Sequence, residues 1–361
     1  MTVRTGEPRD TDADTRICGL FEGGSLTDPD LQGLVDSGEA KGTLKRLCVT
    51  HEEVPSGGRR RVIIAGLGKE DEFNAEKARI AAAAAATRAK ELGAESLSWA
   101  APDQEGAVTG IVQGTLLCLY EFDQLKSSKD DENDKSGITS LEVVGGDEED
   151  ASTARVTARA QNAARDLQNL PSNVCTPEFL AGRAREIAAA HDSVEVEVFG
   201  RDQIVEMGMG AFAAVAQGAD SEPQLIVLRY QGGGKGPHLG YVGKAVTFDT
   251  GGISIKPSAK MHEMKFDMSG GSAVIESIDA IATLGLPAQI TAVVPSTENM
   301  PSGHAVKPGD IVTAMNGKTI EVNNTDAEGR LILSDALCYA VDQGVEPVSY
   351  THLTLPTILR V

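Results

Sequence analysis

Three stretches of the chain, residues 242–257, 264–271 and 324–331, concentrate carboxylates, lysines and glycines in a way that ordinary surface composition does not explain. In the first, Asp249 closes a run of strand-forming residues. It therefore sits at the carboxyl end of a predicted strand, where ligands of open α/β sheets gather. Gly251-Gly252 behind it lets the backbone turn sharply and approach a bound group. In the third, Asp326, Glu328 and Arg330 recur at every second residue, so in extended backbone they share one face. Ile320 and Val322 before them and residues 331–333 after them are apolar, which sets this patch against a core. Four carboxylates, Asp249, Asp267, Asp326 and Glu328, converging in a partly buried site repel one another. Raised pKa values with shared protons relieve that repulsion, or a cation does. Hard oxygen donors suit magnesium, manganese or zinc, and a set this large favours two ions. Singly, each feature has a plainer reading: Asp-x-Glu as a solvated face, Gly-Gly as a turn, Lys244 and Lys256 as surface lysines. The combination changes the reading.

The elements that must position these residues follow from the hydrophobic pattern. Residues 194–198, 225–228 and 239–246 read as strands, the last leading into Asp249. Residues 272–284 read as a helix and 290–294 as a strand. Residues 311–315 and 319–322 flank Asn316-Gly317, a strong hairpin signal, and 330–341 are apolar at helical spacing. Upstream, 61–66, 97–100 and 138–144 read as strands and 126–137 as a polar loop. The Ala-rich 74–93, ending at Gly93, and 106–120 read as helices. Residues 150–169 form a linking helix that stops before Pro171, and Thr176-Pro177 supply the N-cap and first residue of the next. This alternation predicts an α/β protein of two domains, each a mostly parallel or mixed sheet flanked by helices. The N-terminal α/β domain takes residues 1–150 and the catalytic domain residues 151–347, the boundary falling within the linking helix.

Composition removes several alternatives. A formal charge of −20 leaves no basic face for phosphates, so a nucleic-acid partner is not expected. The five cysteines are scattered and never form Cys-x-x-Cys, against a disulfide framework or zinc knuckle and in favour of a reducing cytoplasm. The N-terminus is polar, without the apolar core of a signal peptide, and no apolar run is long enough to span a bilayer. Gly66-Leu67-Gly68-Lys69 lacks the rest of a dinucleotide fingerprint. No Ser or Thr follows Lys235 in the Gly232 to Gly236 run, so both glycine-rich pieces read as plain loops. The acidic runs 130–134 and 147–150 read as solvated loops. There is no His-Glu-x-x-His helix, and the six histidines do not cluster, which weighs against a dinuclear phosphoesterase.

Asn324-Thr325-Asp326-Ala327-Glu328-Gly329-Arg330-Leu331 resembles, in full, the hallmark octapeptide of the leucyl (cytosol) aminopeptidases. Gly243 to Gly252, reading Gly-Lys-x-x-x-Phe-Asp-x-Gly-Gly, resembles that family's other long motif. The likeness also takes in residues 165–173 and 207–218, and so covers at least 165–340. The N-terminal part matches only in general character. Thr250 stands where Ser is expected, and Ser269-Gly270-Gly271-Ser272 differs from the usual small-residue run; both departures keep the side chains small. The resemblance implies a metal-dependent aminopeptidase that hydrolyses the first peptide bond of peptides with a free N-terminus, preferring leucine-like residues. It implies two divalent ions, manganese or zinc, held by Lys244, Asp249, Asp267, Asp326 and Glu328, with Asp249 and Glu328 bridging. Lys244 would bind as a neutral amine, its pKa lowered by burial and neighbouring cations. Lys256 falls on the position that stabilises the oxyanion, and Arg330 on the one that holds a bicarbonate as general base. A homohexamer is implied as well. The competing readings are a nucleotide- or DNA-binding regulator built on the N-terminal domain, and a truncated inactive fragment. Residues 348–361 depart from the family pattern, and 348–357 back-translate into a transposase-type sequencing adapter. The expectation is a non-native tail following an incomplete catalytic domain.

Overall fold

The β-branched run at residues 61–66 and the alanine-rich segment after it set up the first of two compact units, Met1–Asn162 and Ala163–Val361. The computed structural model describes residues 1–54, 57–127 and 137–346. The tail expected at 348–361, and residues 128–136 of the expected polar loop, lie outside the described residues.

The first unit runs through Thr2–Arg4 (β1), Thr15–Phe21 (β2), Pro29–Asp36 (α1), Leu47–Glu53 (β3) and Arg59–Gly68 (β4). It continues with Ala75–Glu91 (α2), Ser96–Ala100 (β5), Ala107–Cys118 (α3) and Ser140–Val144 (β6). The strands form one sheet in the order β1-β6-β5-β2-β4-β3. All neighbours are parallel except β3 and β4, so the sheet is mixed. Ile17, Ile63, Leu97, Trp99 and Val143 pack with Ala82, Ala85 and Ala86 of α2 and Ile111 and Val112 of α3. Cys18, Leu20, Val62 and Ile64, pointing the other way by strand alternation, pack with Leu31 of α1. The Ala-rich face of α2 lets α3 come close: a Cβ at Gly110 would lie 2.3 Å from the Ala75 carbonyl oxygen and one at Gly114 2.3 Å from that of Arg79.

The linking helix is Glu148–Asn169 (α4), and the partition between units falls inside it. The second unit contains Pro177–Ala190 (α5), Val194–Phe199 (β7), Arg201–Glu206 (α6), Gly210–Ala216 (α7), Gln224–Gln231 (β8), His238–Val242 (β9) and Ala245–Asp249 (β10). Ser269–Leu284 (α8), Gln289–Asn299 (β11), Ile311–Thr313 (β12), Thr319–Glu321 (β13) and Glu328–Asp342 (α9) complete it. As the cap signals require, the Thr176 side chain accepts from Phe179 N–H and Pro177 opens α5. β11 is the spine of the main sheet, antiparallel to β8 and parallel to both β9 and β10, with β7 antiparallel on the outside of β8. Leu225, Val227, Val246 and Val293 join Phe212 of α7 and Ile332 and Ala336 of α9 in one core; α5 and α8 pack against the sheet as well. Asn316-Gly317 turns the β12–β13 hairpin as expected, Thr313 facing Thr319. Buried Asp335 of α9 accepts from Met315 N–H at 2.8 Å and Phe212 N–H at 2.9 Å, fixing hairpin and α7 to the helix. No described helix is long and apolar enough to cross a membrane.

Candidate metal centre

The expected single strand over 239–246 is two strands. The chain breaks step at Gly243-Lys244, and β9 and β10 lie in succession along β11. The cause is the first turn of α8, which presses on the break. Gly271 N–H donates to the Lys244 carbonyl at 2.7 Å, and a Cβ at Gly243 would stand 2.6 Å from the Gly270 oxygen. The small residues of 269–272 are thus what lets two backbones meet behind Lys244. β10 resumes and delivers Asp249 at the carboxyl end of the sheet, opposite Asn299 of β11. Gly251 and Gly252 follow with φ of +86° and +64°, values that only glycine adopts readily. The turn closes through Lys256 N–H to the Thr250 carbonyl, 2.8 Å, and brings the Lys256 side chain back over Asp249.

The third segment departs from expectation. Residues 324–330 are not extended: Asn324 caps a 3-10 turn, Thr325–Ala327, by accepting from Asp326 N–H at 2.9 Å, and α9 starts at Glu328. Asp326, Glu328 and Arg330 therefore do not share a face. The Asp326 side chain is one-third exposed, Glu328 is buried in the first turn of α9, and Arg330 is exposed. The helix amino terminus compensates part of the burial of Glu328. Asp267 comes from another 3-10 helix, Met261–Met268.

Carboxylate oxygens of Asp249, Asp326 and Glu328 all lie within 4.8 Å of one another. Asp267 joins them through Lys244, whose Nζ donates to Asp267 Oδ1 at 2.7 Å and to Glu328 Oε1 at 2.6 Å. Asp267 Oδ2 is equally near Nζ but off the hydrogen-bonding direction. Lys256 Nζ is paired with Asp249 and Asp326. Arg330 makes no ion pair with these groups. Desolvation raises the pKa of Asp267 to about 7, the Lys244 ammonium opposing that rise. Desolvation, helped by the Asp249 charge, raises that of Glu328 too. Burial disfavours both lysine ammoniums, but the facing carboxylates prevail and both pKa values are raised. The protein neighbours of Lys244 are anions, and they hold its proton; the lowering expected from the sequence belongs to a Lys244 with cations beside it.

Two observations test whether this donor set suits divalent ions. Three carboxylates crowd within bonding reach of a common point, and Glu328 Oε2 is buried without any hydrogen-bond partner. A buried carboxylate oxygen left unpaired is costly unless a cation takes it up, so the residues fit. Residues to which the sequence assigns no role hold the arrangement together. Asn299 Nδ2 donates to Asp249 Oδ1 at 2.8 Å, and Thr325 Oγ1 donates to the Gly251 carbonyl at 2.6 Å. The signal was available in principle: Asn299 is a buried amide closing a long apolar strand.

Oxygen donors grouped at the carboxyl end of an α/β sheet, with lysines set among them, are the equipment of a metal-dependent hydrolase. The catalytic-domain profile of the cytosol aminopeptidase family matches residues 162–354 and that family's N-terminal-domain profile matches residues 23–129. The chain belongs to the cytosol aminopeptidase family and is a metallo-aminopeptidase. It is 43% identical to the protein named "Probable cytosol aminopeptidase" of Cupriavidus taiwanensis, over 91% of this chain and 70% of the relative. It is 40% identical to that of Pseudomonas syringae pv. syringae, over 94% and 70%. Among solved structures it resembles the bottromycin maturation enzyme BotP in complex with Mn, with a TM-score of 0.79, 30% identity and coverage of 91% of this chain and 69% of that one.

Proposed function

We propose that the chain hydrolyses the first peptide bond of peptides with a free α-amino group, preferring leucine-like N-terminal residues, with two divalent ions at the carboxylate centre. The observation that carries this reading is the convergence of Asp249, Asp326 and Glu328 on one point, with Asp267 attached through Lys244. Lys244, Asp249, Asp267, Asp326 and Glu328 would hold the ions. Manganese, present in the similar BotP structure, and zinc are the candidates. Bound there, such ions would supply Lewis acidity, both to take up a free amino group and to lower the pKa of a bound water so that hydroxide is available near neutrality.

The chain's own residues supply the rest. Lys256, kept cationic by Asp249 and Asp326, offers positive charge to the oxyanion that develops on the substrate carbonyl. Arg330, exposed and without an ion pair to the carboxylates, presents a guanidinium fork suited to a planar anion; a bicarbonate held there would serve as general base. Lys244 would have to shed its proton to ligate, and a cation competing for Asp267 and Glu328 would favour that loss. A homohexamer in the cytoplasm, acting in peptide catabolism, completes the proposal.

The decisive assay compares leucine p-nitroanilide with its N-acetylated form, with added manganese and after chelation. The proposal expects turnover of the free amine only, lost on chelation and restored by manganese. Equal turnover of the acetylated substrate, or turnover that survives chelation, overturns it.

A further inference from the structure

We propose that Asn299 is a positioning residue of the centre: its side-chain amide fixes which oxygen of Asp249 faces the other carboxylates. The proposal rests on the two-metal reading above. Asn299 is 2% exposed, at the end of β11 and directly opposite Asp249. Its Nδ2 donates twice, to Asp249 Oδ1 at 2.8 Å and to the Thr325 carbonyl at 3.0 Å. Both partners are acceptors, so the amide can present only its NH2 end here, and both of its hydrogens are used. Asp249 Oδ1 also accepts from Gly251 N–H at 2.9 Å. With two N–H donors on it, Oδ1 has no lone pair left, and Oδ2, the oxygen paired with Lys256, is the one presented to the centre.

The surroundings make this orientation rigid. The Asn299 carbonyl accepts from Thr250 N–H at 3.0 Å and from Thr250 Oγ1 at 2.8 Å. Thr325 Oγ1 accepts from Ser254 N–H at 2.8 Å while donating to Gly251. One amide thus joins the end of β10, the end of β11 and the turn that carries Asp326 and leads into Glu328. Gly252 leaves the room required: a Cβ there would lie 2.8 Å from Asn299 Oδ1. The choice of residue type is chemically pointed. A neutral amide orients the carboxylate and leaves its charge intact, whereas a lysine or arginine in that place would neutralise it in competition with a bound cation.

The test compares the whole chain with Asn299→Asp, which keeps the shape and removes the donor, and Asn299→Ala. Manganese affinity is read from the electron paramagnetic resonance of free Mn2+, the unfolding midpoint is taken with and without manganese, and kcat is taken as manganese is raised. The expected result is manganese binding about 10- to 100-fold weaker in both variants, with Asp at least as impaired as Ala because it turns an acceptor toward Asp249 Oδ1. Raising manganese should restore kcat in Asn299→Ala. Asn299→Asp binding manganese within about twofold of the parent would overturn the proposal. So would variants that stay unfolded both with and without manganese, which would make the residue structural. A parent chain that takes up no manganese would sink the two-metal reading and this proposal together; a binding parent with equally binding variants would sink this proposal alone.

Discussion

Gly329→Ala separates a ligand role for Lys244 from a bystander role with a single methyl group. Gly329 is the second residue of α9, and no left-handed backbone calls for glycine there. What calls for it is space: a Cβ at this position would lie 2.8 Å from Cδ, Cε and Nζ of Lys244, where ordinary contact begins at 3.4 Å. The lysine tip must retreat by roughly 0.6 Å or more, about three times the tolerance of a metal–ligand distance. For stability the change is mild, because the crowded atoms end a flexible side chain. Alanine is favoured over glycine by up to about 1 kcal/mol in a helix interior and by less in this first turn, offsetting a small part of the roughly 1.5–3 kcal/mol carried by a charged hydrogen bond that loosens. For the centre it is severe: displacement of a ligand should weaken manganese binding at least about 10- to 100-fold, the range typical of losing a supporting contact, with kcat/KM falling alongside at limiting metal. The assays are manganese titration and thermal unfolding in chelator. Gly182→Ala in α5, where a Cβ meets nothing within 4 Å, is the control; it should leave manganese binding unchanged. If Gly329→Ala binds manganese as the parent does, Lys244 does not ligate.

Lys256→Ala should lower kcat by about 100- to 1,000-fold, as for loss of an oxyanion donor, while metal content by elemental analysis stays at the parent's value. Arg183→Ala should destabilise the catalytic unit by about 3–5 kcal/mol in urea unfolding, because Arg183 holds buried Glu276 through bonds of 2.7 and 2.8 Å and nothing else pairs that charge among the described residues. Manganese affinity should rise with pH, most steeply below about 7, since ions compete with protons at Asp267, titrating at about 7, and at Lys244, whose pKa is raised. Calorimetry in buffers of differing ionisation enthalpy should register the released protons, and affinity independent of pH would refute the competition. Cys175, buried and with its thiol pushed up to about 12 by desolvation, should resist iodoacetamide until the chain unfolds.

What could be read from the sequence was what repeats or what is rare. Helices α2, α3, α5 and α9 and the β12–β13 hairpin announce themselves through periodicity, caps and Asn-Gly, because those signals are local. β1, β2 and β3 leave weak local signals for identifiable reasons. β1 is three residues at a sheet edge. β3 alternates half-buried with exposed positions at the opposite edge and ends in His-Glu-Glu. β2 carries Arg16, a residue that reads as surface but is buried, because Glu52 meets its guanidinium Nε at 2.9 Å across the sheet. That pairing is long-range and leaves no local trace.

The same distinction runs through the centre. The carboxylates were legible because four of them beside a Gly-Gly and an Asp-x-Glu-x-Arg are improbable unless something opposes their repulsion. The assumption of extended backbone at 324–330 failed because Asn324 can cap, and a cap turns alternate residues to different faces. The break at Gly243-Lys244 was illegible because its cause is the first turn of α8, met only once the chain has folded back. Asn299 belongs to that second kind: an amide at a strand end has a dozen ordinary uses, and only its opposition to Asp249 across β10 and β11 selects one. Charge therefore marks the centre in the sequence, whereas the neutral groups that aim the charge become visible only through geometry. A variant series confined to the charged residues would establish which groups matter without explaining why Asp249 turns Oδ2, and not Oδ1, toward Lys256.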